Sequence, residues 1–292
     1  MVIELPTPFE GETGVVRVLE PAGCDRRAIA ERLREERYGK AFVADDGVIR
    51  TLHFCRDFMQ SAMRVDDPFA LEFAYTRMVM SFLLFVPRPG SILMLGMGGG
   101  SIAKFCHRHL PGARIVVVES EPRVVGFRDQ FAVPPDDERF QVVLADGAEY
   151  LRRTPERFDA IVIDAFDRDG FAPTICTPEF YLEARDSLAP GGVMVSNLVG
   201  TREARTDHLH LVRGAFEDNV ILMPVVGDGN HLAFAFPDGR EPRWRWIREE
   251  AKAMRARYGL EFPRFAEQLE RSRKMGYLRR ELEAPRHLGR HT

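Results

Sequence analysis

The 292-residue sequence predicts an α/β fold: a doubly wound, mostly parallel, seven-stranded sheet preceded by a small N-terminal β-rich domain. Short, nearly continuous apolar runs alternate with helical segments, as is typical of parallel strands buried on both faces. A glycine-rich turn follows the first run, and a hairpin pattern closes the series. Together these features predict helices on both sides of one sheet.

The first 66 residues have the pattern of the small β-rich domain. Asp46-Gly47 is a strong tight-turn signal between two runs rich in Val, Ile, Phe and Leu. After this domain, Asp66, Asp67 and Pro68 predict the start of a helix that continues to Pro87. The elements predicted before that helix are a strand, a helical segment and a hairpin, at residues 14–19, 26–38 and 40–54.

Residues 67–239 contain the repeated strand and helix pattern of the main domain. The predicted strands are residues 91–95, 114–119, 140–144, 158–164, 193–198, 220–226 and 232–236. The predicted helices between them are residues 101–110, 122–131, 148–153, 178–188 and 203–217. The turn GDGN at residues 227–230 joins the last two strands, so we expect the sheet to end in an antiparallel hairpin.

Residues 240–292 are predicted to form a basic helical C-terminal appendage. They carry fifteen Lys/Arg against eight Asp/Glu, whereas the whole chain has a net charge of −3. The aromatic residues of this segment have no spacing typical of RNA binding, so we expect no nucleic-acid partner. The rest of the chain is acidic, which favours a cationic substrate.

The four cysteines are scattered, with no CxxC spacing and no His at metal-site intervals, so the sequence indicates neither a disulfide framework nor a metal site. The N-terminus lacks the pattern of a signal peptide. The longest strongly apolar stretch, residues 78–87, is about half of what a membrane span needs. We therefore expect a cytoplasmic protein without a membrane partner.

The glycine-rich turn GMGGGS, at residues 96–101, lies between a predicted strand and a predicted helix. Gly96, Gly98 and Gly100 allow the backbone to approach a ligand, and the helix start offers free N–H groups. Ser101 departs from the dinucleotide fingerprint, which has Gly or Ala there. Glu119 ends the next strand, where a carboxylate can accept hydrogen bonds from both ribose hydroxyls. A nucleoside site is expected at this edge.

Carboxylates also follow the next two strands. Asp146, followed by Gly147, can bind an adenine amino group, although a simple turn explains the pair nearly as well. Asp164, Asp167 and Asp169 form an acidic cluster that would attract an amine and accept its proton, and a merely acidic loop is the alternative. Asp164 is the favoured functional member because it ends the strand itself.

These motifs resemble the polyamine aminopropyltransferases, typified by spermidine synthase, which have the class I methyltransferase fold. The family motifs GGGDGG, VEID-P, GDG and DS-x-D resemble residues 96–101, 118–122, 145–147 and 164–167. The later PEFY and L-x-PGG motifs resemble residues 178–181 and 188–192. Gln60 and Tyr75 fall where the family has a cofactor-contacting Gln and an amine-site Tyr.

The resemblance implies transfer of an aminopropyl group from decarboxylated S-adenosylmethionine to a small polyamine or other amine, without a metal. Asp164 would accept or orient the amine proton, with Tyr75 in the amine site, and Asp167 would hold the far ammonium group. Gln60, the glycine loop, Glu119 and the Asp146-Gly147 pair would bind the cofactor. Family members are often dimers or tetramers, so the resemblance is compatible with a homodimer.

Two residues depart from the family pattern. Gly99 replaces the loop Asp that pairs with the propylammonium group of the family's cofactor, and Thr76 follows Tyr75 where the family has His. Without that carboxylate the loop would also accept intact S-adenosylmethionine, whose own carboxylate an Asp would repel. An S-adenosylmethionine-dependent methyltransferase and a non-catalytic cofactor-binding homologue therefore remain alternatives.

Overall fold

The computed structural model describes residues 1–56, 58–166, 170–227, 229–239 and 241–283. Its strands form two separate sheets, one of five strands and one of seven. Across these ranges, every helix is too short or too polar to cross a membrane.

The smaller sheet is an antiparallel meander. Its strands are β1 (Val2–Pro6), β2 (Val15–Leu19), β3 (Phe42–Asp45), β4 (Ile49–Cys55) and β5 (Phe58–Arg64), with helix α1 (Arg26–Arg34) between β2 and β3. Val16 and Val18 are fully buried while their neighbours are partly exposed, as the alternating pattern predicts. The predicted turn between β3 and β4 is confirmed, since the Asp46 carboxylate accepts two backbone N–H groups beyond it and Gly47 has φ +88°.

The larger sheet confirms the predicted doubly wound architecture. Its strands are β6 (Ser91–Leu95), β7 (Arg114–Glu119), β8 (Phe140–Leu144), β9 (Phe158–Ile163), β10 (Leu188–Leu198), β11 (Val220–Pro224) and β12 (His231–Ala235). They lie in the order β11-β12-β10-β9-β6-β7-β8. The five strands from β10 to β8 are parallel, and β12 pairs antiparallel with both β10 and β11, as the terminal hairpin pattern predicts.

Helices cover both faces of this sheet. They are α2 (Ala74–Val79), α3 (Ser101–His109), α4 (Pro122–Gly126), α5 (Gly147–Arg153), α6 (Pro178–Asp186), α7 (Arg202–Phe216), α8 (Trp244–Tyr258), α9 (Phe262–Lys274) and α10 (Tyr277–Glu283). Residues of α3, α8 and α9 share one apolar cluster with the sheet, and residues of α5, α6 and α7 share the other. The apolar residues of α8 and α9 thus belong to the same core as the parallel strands.

The predicted helix from Asp67 to Pro87 is wrong at its start. Helix α2 begins at Ala74 and continues as a 3₁₀ helix, Met80–Leu84. The Arg77 guanidinium donates to the carbonyl oxygens of Leu71 and Glu72, both at 2.6 Å. The segment before α2 therefore contains a separate turn, in which the Ala70 N–H donates to the Asp67 carbonyl at 3.1 Å, and the helix begins only after it.

The smaller sheet packs against the larger domain next to the glycine-rich turn. Lys104, on α3, is fully buried, and its ammonium group donates to the Phe131 carbonyl at 2.6 Å and to the Met63 sulfur of β5 at 3.2 Å. Burial lowers the pKa of Lys104 to about 8. Contacts of this kind hold β5 over the start of α3, so β5 forms one wall of the site described below.

Candidate active site

The glycine bend, residues 96–101, packs directly against the backbone at the end of β9. Gly96 has φ +98°, and a Cβ atom there would lie 2.1 Å from the carbonyl oxygen of Asp164, so only glycine fits. Gly98 has φ +52° and lines the cavity. Gly100 has φ +68° and precedes α3, where its missing Cβ would lie 2.6 Å from a Val133 methyl group. Gly96 and Gly98 face the cavity, whereas Gly100 supports the bend from behind.

Glu119, at the end of β7, fastens this bend. One carboxylate oxygen accepts the Met97 N–H at 2.8 Å, and the other accepts the Glu121 N–H at 2.9 Å. Burial raises the pKa of Glu119, against the opposing effect of the backbone N–H groups. The carboxylate also lines the cavity.

Asp146 caps the start of α5. Its carboxylate accepts the Glu149 N–H at 2.9 Å and the hydroxyl of Thr174 at 2.7 Å. The turn and the ligand-binding interpretations are therefore compatible, because Asp146 and Gly147 line the cavity while Asp146 also caps the helix. Thr174 was not identified from the sequence, and its bond ties the segment after β9 to the end of β8.

Asp164, whose backbone contacts the glycine bend, also lines the cavity, and side chains hold its carboxylate. Tyr75 donates its hydroxyl proton to Oδ2 at 3.0 Å, and Asn197 donates its amide to Oδ1 at 2.8 Å. Burial raises the pKa of Asp164, and these two hydrogen bonds oppose the rise. The structure therefore places Tyr75 and Asp164, two of the three predicted catalytic residues, in direct contact. The third, Asp167, lies outside the described residues.

Aromatic side chains line the same cavity as Asp164. Phe73 stacks on Tyr75 with ring centroids 5.8 Å apart, and Phe166 packs on Phe171 at 4.9 Å. All four rings line the cavity, and Phe171 also rests on the buried ring of His208 at 3.6 Å. The cavity thus offers both a carboxylate and aromatic rings, and both kinds of group favour a cation.

These groups enclose one cavity of about 730 Å³. Its polar wall includes Gln60, predicted as a cofactor contact, and the carboxylates of Glu119, Asp146 and Asp164. Among the described residues that line it there is no Lys, Arg or His. The residues fit a nucleoside carrying a sulfonium, because the glycine bend lines a cavity large enough for a small ligand and the wall is acidic.

Strand ends explain why these side chains meet. Leu95 of β6 pairs with Val118 of β7 on one side and with Ile163 of β9 on the other. The residues that follow the three strands therefore emerge at the same level, in the crevice where ligands of open α/β sheets bind. Besides Thr174, the polar residues of this crevice that sequence reasoning missed include Ser61, Asn197 and Asn230.

Comparison with known proteins identifies a matching family profile and a similar curated protein. The profile of the Spermine/spermidine synthase domain matches residues 72–213. A curated polyamine aminopropyltransferase of Chromobacterium violaceum is 34% identical over 232 residues, which is 79% of this chain and 89% of the relative. The match thus extends over most of both proteins.

Solved structures share the fold at low sequence identity. A spermidine synthase in complex with the transition-state analogue AdoDATO has a TM-score of 0.62 at 20% identity, covering 83% of this chain and 84% of that one. Human methyltransferase-like protein 13 in complex with SAH has a TM-score of 0.51 at 22% identity, covering 75% and 93%. The sheet and its helices are therefore common to transferases of both types.

Proposed function

Because the chain belongs to the polyamine aminopropyltransferase family, we propose that it transfers the aminopropyl group of decarboxylated S-adenosylmethionine to a small amine. The observation that carries the proposal is the cavity itself, which is lined both by a glycine bend fastened by Glu119 and by the buried carboxylate of Asp164. We call the part beside Glu119 the donor end and the part around the Asp164 carboxylate the acceptor end, since they suit a nucleoside donor and an amine acceptor.

The donor half would be held by five of the predicted cofactor residues. Gly96 and Gly98 line the space that the nucleoside would occupy, and Glu119 would accept hydrogen bonds from the ribose. Asp146 would accept the adenine amino group, and Gln60 faces the same space from β5. Hydrogen bonds from the backbone hold the carboxylates of Glu119 and Asp146, so the donor would bind a largely preformed surface.

The acceptor half would carry the proton transfer. When bound, the donor supplies an electrophilic propyl carbon next to a sulfonium, which leaves as neutral methylthioadenosine. Asp164 takes the proton that the acceptor nitrogen loses as its lone pair forms the new N–C bond and the C–S electron pair goes to sulfur. Tyr75 orients the carboxylate through its hydroxyl. We also propose that Asp167 holds the distal ammonium of the acceptor.

The charge of the wall favours the decarboxylated donor. Glu119, Asp146 and Asp164 line the cavity, and its described part has no cationic side chain to offset them. Intact S-adenosylmethionine carries a carboxylate that this field repels, whereas the decarboxylated donor carries only positive charge. The acidic wall thus compensates in part for the loop Asp that Gly99 replaces.

Gly99 supports the second candidate, methyl transfer from intact S-adenosylmethionine. A Cβ atom at Gly99 would lie 2.6 Å from the Ser61 hydroxyl and 2.9 Å from the Phe131 ring, so β5 occupies the space of a side chain at this position. The loop can therefore offer only backbone groups to the donor's tail, and backbone N–H groups also suit a carboxylate.

Calorimetry with both donor forms separates these functions. We expect the decarboxylated donor to bind at least about ten times more tightly, because each tenfold in affinity needs only about 1.4 kcal/mol. We also expect methylthioadenosine release when putrescine or spermidine is added. Tighter binding of the intact donor together with methylation of an amine would support the second candidate, and binding of neither form would support a non-catalytic protein.

A further inference from the structure

Two asparagines, Asn197 and Asn230, lie side by side at the acceptor end of the cavity. Asn197 is the last but one residue of β10, and Asn230 directly precedes β12. Their exposed fractions are only 3% and 7%, and both line the cavity. A buried amide must satisfy a donor and an acceptor group, so the direction of each hydrogen bond matters.

The hydrogen bonds run in one direction through this pair. Asn230 donates its Nδ2 to the Oδ1 of Asn197 at 3.0 Å, and Asn197 donates its own Nδ2 to Asp164 at 2.8 Å. An ionised carboxylate can only accept, so a reversed Asn197 would place a carbonyl oxygen against it. In this arrangement Asn230 engages the carbonyl oxygen of Asn197 and leaves its Nδ2 for Asp164.

We propose that Asn230 and Asn197 are positioning residues that act in series to keep Asp164 ionised and correctly turned towards the acceptor amine. Asn197 acts on the carboxylate directly, and Asn230 acts only through Asn197. The inference rests on the proposed function, in which Asp164 takes a proton. It assigns a role to the terminal hairpin, whose backbone places Asn230 through the bond from the Val225 N–H to the Asn230 carbonyl.

Few other described groups act on the charge of Asp164. From α2, Tyr75 donates to its second oxygen. Glu119 and Asp146 face the cavity from the donor end, and both are acidic. His231, next to Asn230, instead contacts the Tyr277 hydroxyl of α10 at 3.0 Å. Burial raises the pKa of Asp164, and the hydrogen bonds from Asn197 and Tyr75 lower it. Removing one donor should therefore move this pKa upward.

The direct test is a carbon-detected NMR titration of Asp164 in protein labelled at the aspartate carboxyl carbons, with Asp164→Asn assigning the signal. We expect Asn197→Leu to raise the pKa of Asp164 by about one unit and Asn230→Leu by about half as much. Because the residues act in series, the double variant should match Asn197→Leu alone. Asn219→Leu, a change of the same type at the far end of β11, is the matched control.

An unchanged pKa in Asn230→Leu, or a double variant whose shift is the sum of the two single shifts, would overturn the relay. Melting curves and donor calorimetry check that the variants fold. If a leucine variant does not fold, Asn197→Ser or Asn230→Ser takes its place. This titration needs no turnover. If the wild type transfers no aminopropyl group, the proposed function fails while the relay is still decided.

Kinetics give a second readout when the enzyme is active. We expect the acid limb of the kcat profile to move to higher pH in the same order, with the donor KM unchanged and most of kcat recovered at high pH. A purely structural role would instead lower kcat equally at every pH, and that result would also reject the proposal.

Discussion

Glu119 and Asp164 end the two strands that flank β6, but different kinds of partner hold them. The Glu119 carboxylate accepts backbone N–H groups from the glycine bend and from the turn after β7. The Asp164 carboxylate accepts side-chain groups from Tyr75 and Asn197. Burial raises the pKa of both.

From this difference we infer a supporting role for Glu119 and a chemical role for Asp164. Backbone partners cannot rotate away, so Glu119 holds a fixed shape against which a nucleoside can bind. The side-chain partners of Asp164 can be replaced one at a time by mutation. Each replacement should change the pKa of Asp164, because each hydrogen bond stabilises its ionised form. Substitutions at the donor end should therefore change donor affinity and stability. Substitutions at the acceptor end should instead change turnover and its dependence on pH.

The largest effect should come from Asp164→Asn. Loss of the proton acceptor should lower turnover by about 10³-fold, while the donor Kd stays within about a factor of three. Methylthioadenosine release and donor calorimetry measure the two quantities, with Asp186→Asn, on the exposed end of α6, as control. A fully active variant would show that Asp164 is not the proton acceptor.

Gly96→Ala should cause the largest loss of stability. The new methyl group would meet the Asp164 carbonyl oxygen at 2.1 Å, at a φ of +98° that alanine avoids. We expect unfolding free energy to fall by more than about 3 kcal/mol in urea titrations. Gly112→Ala is the control, since its Cβ would have no atom within 4 Å. Equal stability of the two variants would contradict the close packing of the bend.

Glu119→Gln should weaken donor binding by about 10-fold to 100-fold and lower the melting temperature by several degrees. A glutamine has one acceptor oxygen where two N–H groups must be satisfied, and a buried group left without a partner costs about 1–3 kcal/mol. Calorimetry and thermal melts measure both effects, and the exposed Glu138→Gln is the control. A variant with normal donor binding but low turnover would reverse the roles assigned to the two ends.

The smallest effect should be a pH-dependent gain in stability of Asp164→Asn. The folded-state pKa of Asp164 is raised, so its ionised form costs stability above that pKa, and the cost disappears as pH falls below the unfolded-state value. We expect the variant to melt about 2 °C higher at pH 8, with a difference that shrinks towards acidic pH. A difference that grows on acidification would mean that the ionised carboxylate of Asp164 forms a salt bridge with a cation.

Much of the fold and the donor end could be predicted from the sequence. Apolar runs mark where the parallel strands lie along the chain. Residues at the carboxyl ends of such strands meet at one edge of the sheet, so the glycine bend, Glu119, Asp146 and Asp164 were identified as candidates. Their proposed contacts with substrates remain predictions. The helix start at Pro68 was wrong because local capping signals carry no information about the bonds that Arg77 makes to carbonyls before α2.

The asparagine pair could not be found in the same way. Asn197 and Asn230 are 33 residues apart, and neither belongs to a recognisable motif. They meet because β12 returns antiparallel beside β10, with Asn197 opposite Leu232 and Leu198 opposite His231. The hairpin was predicted, but its register with β10 depends on tertiary packing, and a one-residue shift would turn Asn230 away.

The terminal hairpin has a consequence for redesign. It follows the parallel strands that carry the proposed donor end, and it contributes Asn230 to the cavity from a loop rather than from the central sheet. Loops exchange more readily than strands between related proteins. Grafting this loop from relatives, or selecting variants of it in the laboratory, should adjust the working pH of the enzyme while the donor affinity is preserved.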